Sequence, residues 1–198
     1  MRGNGHQVAG VDKGDEIPGS LMDYDACFLA IPLHGISEFL SGNEHPMLVE
    51  ISSVKTPMKK YSGRVVSIHP MFGPSSISNP EYRNILFIND ISPFHSMRFI
   101  ESVFPGFSIT PLTADEHDRL MVEMLVRPYL LSLLSSRISS GTEGKVTCTS
   151  YRKLLDLSSI SKTESKEVLL DTIRHNPYSQ EAIKNLKEGM ERLYDEFR

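Results

Sequence analysis

Cysteine is scarce in this chain of 198 residues, which contains only Cys27 and Cys148. The two lie far apart, neither belongs to a CxxC pair, and neither stands near a histidine at the spacing of metal ligands. We therefore interpret both as reduced thiols of a cytoplasmic protein. The same pattern predicts no metal site.

Runs of like charge are missing as well. The chain carries 25 acidic and 21 basic residues, for a formal net charge of −4, and both signs are spread along the sequence. A nucleic-acid-binding protein would normally show a basic face. We therefore expect no nucleic-acid partner.

Long apolar runs are absent too. The longest, such as residues 26–33, are far shorter than the ~20 residues that a membrane-spanning helix needs. The first ten residues hold one arginine followed by glycines and polar residues, instead of a positive segment leading into an apolar run. We expect neither a signal peptide nor a membrane partner. The hydrophobic content of 39% is that of a soluble globular protein.

The first part of the chain, as far as about Pro111, predicts an α/β fold. Short apolar runs rich in valine and isoleucine alternate with amphipathic or turn-rich stretches, which is typical of parallel strands covered by helices. The pairs Ser92-Pro93 and Thr56-Pro57 predict helix starts, the first opening a helix that runs to about Val103. The predicted strands are 7–11, 26–31, 47–51, 65–68, 85–88 and 107–110.

After Pro111 the pattern becomes helical. Thr113 and Glu116 have the spacing of a capping box, and apolar residues at helical spacing follow. Pro128 should kink or interrupt this helix, because it removes a backbone donor and clashes with the preceding turn. Further helices are predicted at 150–157, 165–174 and 178–197. The sequence thus predicts an α/β domain at 1–112 and an all-helical domain at 113–198.

The helical domain has many apolar positions for its length. A short helical layer of this kind often packs against a second copy of itself, which predicts a homodimer through this domain. The alternative is that all of these apolar faces cover the α/β domain.

His69 follows a predicted strand, in the segment 67–74. Ligands of open α/β folds bind at the carboxyl edge of the sheet, and an imidazole there can act as a base. A histidine before a proline at a strand end is, however, more often a turn residue. The preceding strand is followed by Ser52, Ser53 and Lys55, so adjacent strand ends should present Ser53 and His69 side by side. The alternative role for the two serines is to cap the next helix.

Ser53-Val54-Lys55 followed by His69-Pro-Met-Phe-Gly-Pro74 resembles prephenate dehydrogenase. Glu116-His-Asp118 resembles the histidine–aspartate pair that opens the first long helix of that family's dimerisation domain. Ser150-Tyr-Arg152 resembles the segment whose arginine grips a substrate carboxylate. The resemblance runs from about residue 5 to the end. It implies an NAD-dependent oxidoreductase of tyrosine biosynthesis that oxidatively decarboxylates prephenate to 4-hydroxyphenylpyruvate, with a Rossmann-type parallel sheet.

The resemblance also implies roles for individual residues. His69 would accept the proton of the prephenate ring hydroxyl, and Ser53 would hydrogen-bond to that hydroxyl or orient the imidazole. Arg152 would pair with a substrate carboxylate, which suits its planar fork of donors. His117 would line the substrate end of the cleft. The alternative for His117 is an exposed position in the first turn of a helix.

On the cofactor side, residues 8–12 are predicted to form a strand that ends in Asp12. An acid there accepts hydrogen bonds from the ribose hydroxyls and favours NAD over NADP, although a strand-terminal Asp is also a frequent helix cap. The segment 29–33, which contains Pro32, resembles the family's strand end whose backbone borders the cofactor. Ser53 is assigned to the cofactor side as well as to catalysis.

The sheet implied by the resemblance is incomplete. A glycine-rich phosphate loop should precede its ribose-binding acid by about 20 residues, yet only eleven residues precede Asp12. The first strand and this loop are therefore missing from the sequence. Either the protein begins upstream of Met1, or the gap is filled by rearrangement or by a strand from a partner. If the chain is complete, NAD affinity should be weak or absent.

Two rival functions remain open at this point. One is a non-catalytic prephenate-binding or regulatory protein that has lost the cofactor half. The other is a dehydrogenase of the same two-domain plan that acts on arogenate or a hydroxy acid.

Overall fold

The computed structural model describes residues 5–12, 14–73, 76–138 and 147–198. The chain divides into two compact units, Met1–His117 and Asp118–Arg198. A mostly parallel sheet with covering helices forms the first unit, and the second is helical. The predicted fold class, α/β followed by a helical part, is confirmed. The break lies slightly further along the chain than the predicted division near residue 112.

The described part of the first unit contains a five-stranded sheet. Its strands are β1 (Cys27–Leu29), β2 (Leu48–Glu50), β3 (Val66–Pro70), β4 (Asn84–Ile88) and β5 (Ser108–Leu112). Its helices are α1 (Leu33–Gly42), α2 (Ser96–Val103) and the start of α3 (Ala114–Met121), with 3₁₀ turns at Leu21–Asp23, Thr56–Tyr61 and Pro80–Tyr82.

The strands lie in sequence order, β1-β2-β3-β4-β5, and one pairing departs from the predicted parallel sheet. β1, β2 and β3 pair in parallel, as do β4 and β5, but β3 and β4 are antiparallel. Parallel neighbours need a crossover, usually a helix. α2 supplies that crossover between β4 and β5. Between β3 and β4, the described residues form turns at 76–78 and Pro80–Tyr82 but no crossover helix. The chain therefore reverses direction at the end of the sheet where β3 finishes.

The strand predicted at 7–11 is not formed. These residues have no regular structure, and Val8 and Val11 are 37% and 46% exposed. Strand propensity reflects packing against neighbouring strands more than the backbone itself, so the two valines do not suffice to form a strand here. Asp12 therefore does not end a strand. Its N–H donates to Asp15 Oδ2 (2.9 Å) within a turn.

The sheet packs a core on each face. Along β2, Leu48 belongs to the core on the α1 side and Val49 to the core on the α2 side, as the two-residue period of a strand requires. The α1 side includes Leu29, Ile36, Leu40, Leu48, Met58 and Ile88. The α2 side includes Val49, Val66, Ile68, Ile85, Phe87 and Ile100. Each such side chain contributes roughly 1.5–3 kcal/mol by leaving water.

The two predicted helix starts of this unit behave differently. The turn at Thr56–Tyr61 begins at the predicted Thr-Pro pair. α2 begins at Ser96 rather than at Ser92, because Ser92 bonds to a strand instead of capping a helix. The Ser92 hydroxyl accepts a hydrogen bond from the Ser67 N–H of β3 (2.9 Å). This bond ties the loop after β4 to β3.

The second unit continues α3 through a π-helical segment at Val122–Val126 into α4. The Arg127 N–H donates to the Val122 carbonyl, a wider turn than the α-helical one. Pro128 is the second residue of α4, so the regular α-helical pattern is interrupted just before the proline, as predicted, although the chain stays helical. The remaining helices are α4 (Arg127–Ile138), α5 (Thr149–Thr163), α6 (Lys166–His175) and α7 (Ser179–Glu196). Nowhere in the described residues is a helix both long and apolar enough to cross a bilayer.

Helices α4 and α5 are joined through buried serines. Ser135 and Ser158 share a hydrogen bond between their hydroxyls, and the Ser132 hydroxyl accepts from the Ser161 N–H (2.9 Å). Ser132, Ser135 and Ser158 are all buried. Small side chains of this kind let two helices approach closely, since little volume separates the backbones.

Candidate active site around His69

His69 lies within β3, one residue before its end, rather than just after a strand. In the pairing of β2 with β3, the last residue of β2, Glu50, stands opposite Ser67. β3 then continues beyond the end of β2. His69 is therefore presented past the carboxyl end of the neighbouring parallel strand, as predicted, although its own strand runs on to Pro70.

The face on which His69 lies follows from the strand period. Val66 and Ile68 pack into the core on the α2 side, so Ser67 and His69 face the α1 side. Glu50, two residues after Leu48, faces the same side. His69 is 8% exposed, and Glu50 and Ser67 are fully buried. One face of the sheet thus carries an imidazole, a carboxylate and a hydroxyl that are almost completely shielded from solvent.

His117 is the direct partner of His69. The capping box predicted at Thr113 and Glu116 is formed, with the Thr113 N–H donating to Glu116 Oε2 (2.8 Å) and the Glu116 N–H donating to Thr113 Oγ1 (3.2 Å). This cap starts α3 and places His117 one turn later. His69 Nδ1 and His117 Nε2 are 2.9 Å apart. One imidazole therefore donates and the other accepts.

The alternative of an exposed His117 is wrong, because this side chain is fully buried. The capping box fixes where the helix begins, and His117 then points inward to His69 instead of to solvent. Its predicted place at the substrate end of the cleft stays a prediction.

The surroundings of His69 keep it neutral. Burial, the neighbouring His117 and then the Lys55 ammonium hold the pKa of His69 well below its usual range. In the tautomer in which Nδ1 donates to His117, the lone pair is on Nε2. A neutral imidazole with a fixed tautomer is the form that can accept a proton.

A cluster of polar groups adjoins His69, and we call Glu50, Ser52, Lys55 and Ser67 the Glu50 cluster. Ser52 is half-buried, and the other three are fully buried. Lys55 Nζ donates to Glu50 Oε1 (2.8 Å) and to the Ile68 carbonyl (2.7 Å). The Ser67 hydroxyl donates to Glu50 Oε1. The Ser52 hydroxyl and N–H donate to Glu50 Oε2 at 2.6 and 2.9 Å.

Sequence reasoning assigned no role to Glu50 or Ser67. The available signal was an acid that ends an otherwise apolar strand, followed within five residues by a lysine.

Ser53 follows β2 in the loop that contains Ser52 and Lys55. It is half-buried, and Ser52 is the serine that bonds to Glu50. Neither serine caps the following 3₁₀ turn, whose N-cap is Lys55, so that alternative is wrong. The predicted catalytic and cofactor roles of Ser53 stay predictions.

The remaining predicted site residues lie elsewhere. Pro32 is the N-cap of α1, at the carboxyl end of β1, and its carbonyl accepts from the Ile36 N–H (3.1 Å). Asp12 lies in its exposed turn. Arg152 belongs to the second unit, in the first turn of α5, with an exposed side chain. The structure thus brings His69 and His117 into contact, whereas Pro32 and Asp12 each lie in a separate turn.

No protein-family model matches the sequence, and no curated protein matches it either. Solved structures do match, and the three described next each share 16% sequence identity over 85% of this chain. Prephenate dehydrogenase from A. aeolicus, in complex with hydroxyphenyl propionate and NAD+, superposes with a TM-score of 0.60, and 67% of that chain is covered. Synechocystis arogenate dehydrogenase gives 0.58 and 69%. A proposed prephenate dehydrogenase from Corynebacterium glutamicum gives 0.57 and 60%. This chain therefore has the fold of prephenate and arogenate dehydrogenases and spans 60–69% of their length.

Proposed function

We propose that this chain is an NAD-dependent prephenate dehydrogenase, which oxidatively decarboxylates prephenate to 4-hydroxyphenylpyruvate in tyrosine biosynthesis. The observation that carries the proposal is the pair of buried imidazoles, in which a neutral His69 is hydrogen-bonded through Nδ1 to His117. The fold shared with the dehydrogenases supports the same assignment. So does the segment 67–74 that contains His69.

In the proposed reaction, the chain's own residues have to bind the substrate and remove one proton. The ring hydroxyl of prephenate must lose its proton as the carbon that bears it is oxidised, and loss of carbon dioxide then makes the ring aromatic. His69 Nε2 would accept that proton, while His117 holds the ring in one tautomer. Ser53 would hydrogen-bond to the same hydroxyl or orient the imidazole.

The fit to NAD is incomplete in the described residues. The turn between β1 and α1 reads Ala-Ile-Pro and lacks the glycines that let a backbone approach a pyrophosphate. Asp12 lies in a turn instead of at a strand end. These residues do not by themselves form a dinucleotide-phosphate cradle. NAD remains the proposed hydride acceptor, with Pro32 bordering it.

Further parts of the proposal concern the second unit. The Arg152 guanidinium would bind a substrate carboxylate through paired donors. Leu155, Met190 and Leu193 are exposed apolar residues of α5 and α7. They support a homodimer through this unit, because apolar surface of this kind is commonly covered by a second copy. We place the dimer in the cytoplasm.

The His69→Asn variant tests the proposed role of the imidazole. Asparagine keeps a polar side chain but cannot act as the base, so kcat with prephenate and NAD should fall roughly 10²–10⁴-fold. The measurement is the rate of NADH formation, with circular dichroism to confirm the fold. His95→Asn, which changes an exposed histidine, is the matched control and should keep full activity. Substantial turnover in His69→Asn would refute the assigned role.

A second candidate function follows from the lack of a phosphate cradle among the described residues: a protein that binds prephenate without catalysis. Calorimetric titrations of the purified chain with NAD and with hydroxyphenyl propionate distinguish the two. Saturable binding of both supports the dehydrogenase, whereas binding of hydroxyphenyl propionate alone supports the binding protein.

The likeness to Synechocystis arogenate dehydrogenase makes arogenate the alternative substrate. Turnover of the two compounds in the same assay decides between them.

A further inference from the structure

Three members of the Glu50 cluster cannot touch a ligand. Glu50, Lys55 and Ser67 are fully buried, so no bound molecule can reach their polar atoms in this state. Any functional effect must pass through another group. The cluster is connected to the site through the Ile68 carbonyl, which accepts a hydrogen bond from Lys55 Nζ at 2.7 Å. That carbonyl belongs to the peptide bond that joins Ile68 to His69.

The Ile68 carbonyl cannot accept a hydrogen bond from β2, because β2 ends before this point of β3. β2 ends at Glu50, opposite Ser67, so β3 runs on without β2 as a neighbour. A buried carbonyl without a partner destabilises the fold. The Lys55 ammonium supplies the donor after β2 has ended. Glu50 then holds the ammonium, and the Ser52 and Ser67 hydroxyls hold Glu50.

Stability alone is a weak reason to place these charges here. Replacing a buried ion pair by apolar residues of similar volume is often neutral or stabilising, since two charges no longer have to be removed from water. An apolar pair, however, could not donate to the Ile68 carbonyl. The feature that distinguishes Glu50 and Lys55 from apolar side chains is the fixed direction of a donor at the backbone of His69.

We propose that Glu50 and Lys55 are positioning residues: their buried ion pair fixes the Ile68–His69 peptide and so sets the imidazole in contact with His117. This inference rests on the proposed function for its catalytic part. The positioning itself is a property of the ligand-free chain and can be measured without turnover. The two parts can therefore fail separately.

The test uses the Glu50→Gln/Lys55→Met double variant of the full chain. It removes both charges together, so that no single charge stays buried without a partner. The first measurement is the ¹⁵N spectrum of the histidine rings without ligand, in which the His69–His117 hydrogen bond gives the two rings a defined tautomer. The second is kcat and KM for prephenate with NAD. Lys59→Met is the matched control, because Lys59 is a nearby exposed lysine with its own ion pair to Asp90.

We expect the double variant to lose the defined ring signals and to show kcat lowered about 10–100-fold, with KM changed less than about threefold. Lys59→Met should match the unaltered chain in both measurements. Unchanged ring signals and unchanged kcat in the double variant would overturn the proposal.

Two further outcomes stay informative. If the double variant does not fold, Lys55→Arg replaces it, since arginine keeps the charge but alters the reach to the Ile68 carbonyl. Shifted ring signals in Lys55→Arg support positioning, and an unchanged spectrum contradicts it. If the unaltered chain does not turn over prephenate, the proposed function fails, and the ring spectra alone still decide the positioning.

Discussion

The two units solve the problem of buried polar groups in opposite ways. In the first, a carboxylate and an ammonium are fully buried beside His69 and bonded to each other at 2.8 Å. In the second, α4 and α5 meet through uncharged hydroxyls on three buried serines. Burying a charge has a large desolvation free energy, which only well-directed hydrogen bonds to its partners offset. A serine hydroxyl is small and uncharged, so its burial destabilises the fold much less. The difference indicates that the first unit must hold one side chain in place, and that the second needs close packing of helices.

The largest expected difference between the units is the effect of removing one partner. Glu50→Ala leaves the Lys55 ammonium buried without its counterion and should lower the free energy of unfolding by about 3–5 kcal/mol. Ser158→Ala removes only a neutral hydroxyl and should cost about 1 kcal/mol. Urea denaturation followed by circular dichroism measures both. Equal losses in the two variants would remove the contrast.

A smaller effect is expected from added volume between α4 and α5. Ser158→Leu inserts a larger side chain into the close contact of the two helices and should lower the free energy of unfolding by about 1–3 kcal/mol. Ser159→Leu is the matched control, since its neighbouring position on α5 is exposed. It should change stability by less than about 0.5 kcal/mol. If both variants denature at the same urea concentration, the serines do not set the helix separation.

The mildest test is the dependence of stability on pH in the first unit. The pKa of His69 lies well below the ordinary 6.5, so the unfolded chain binds this proton more readily than the folded chain. The contribution of His69 should be fully present above pH 6.5 and be lost as pH falls from there toward the folded pKa. Urea denaturation at several values from pH 5 to 8 measures it. His69→Asn should show a flatter profile, and parallel profiles would contradict the buried neutral state.

Local sequence signals were sufficient for much of the fold. The apolar runs predicted β1 to β5 within a few residues, and the Thr113–Glu116 box predicted the start of α3. Pro128 indicated the irregular segment, which lies at Val122–Val126, just before the proline. The prediction of a strand at 7–11 was wrong, because the β propensity of valine alone does not determine whether a strand pairs into the sheet. The reversal between β3 and β4 was missed, since periodicity does not contain strand direction.

The site was predicted only in part for a related reason. His69 was recognisable from its segment, but its contact with His117 joins positions 48 residues apart. The bond from Lys55 to the Ile68 carbonyl depends on where β2 ends relative to β3, which is a matter of register. Neither relation can be read from spacing along the chain.

The reversal between β3 and β4 also decides which loops lie at the same rim of the sheet as the end of β3. Because β4 and β5 run opposite to β3, the segments that lead into them, 76–83 and 104–107, lie at the same rim of the sheet as the end of β3. The loop after β4, residues 89–95, lies at the far rim, where Phe94 is 93% exposed. Under the proposed function, changes that alter ligand preference therefore belong in the first two segments. An affinity tag or a fused partner is better inserted beside Phe94.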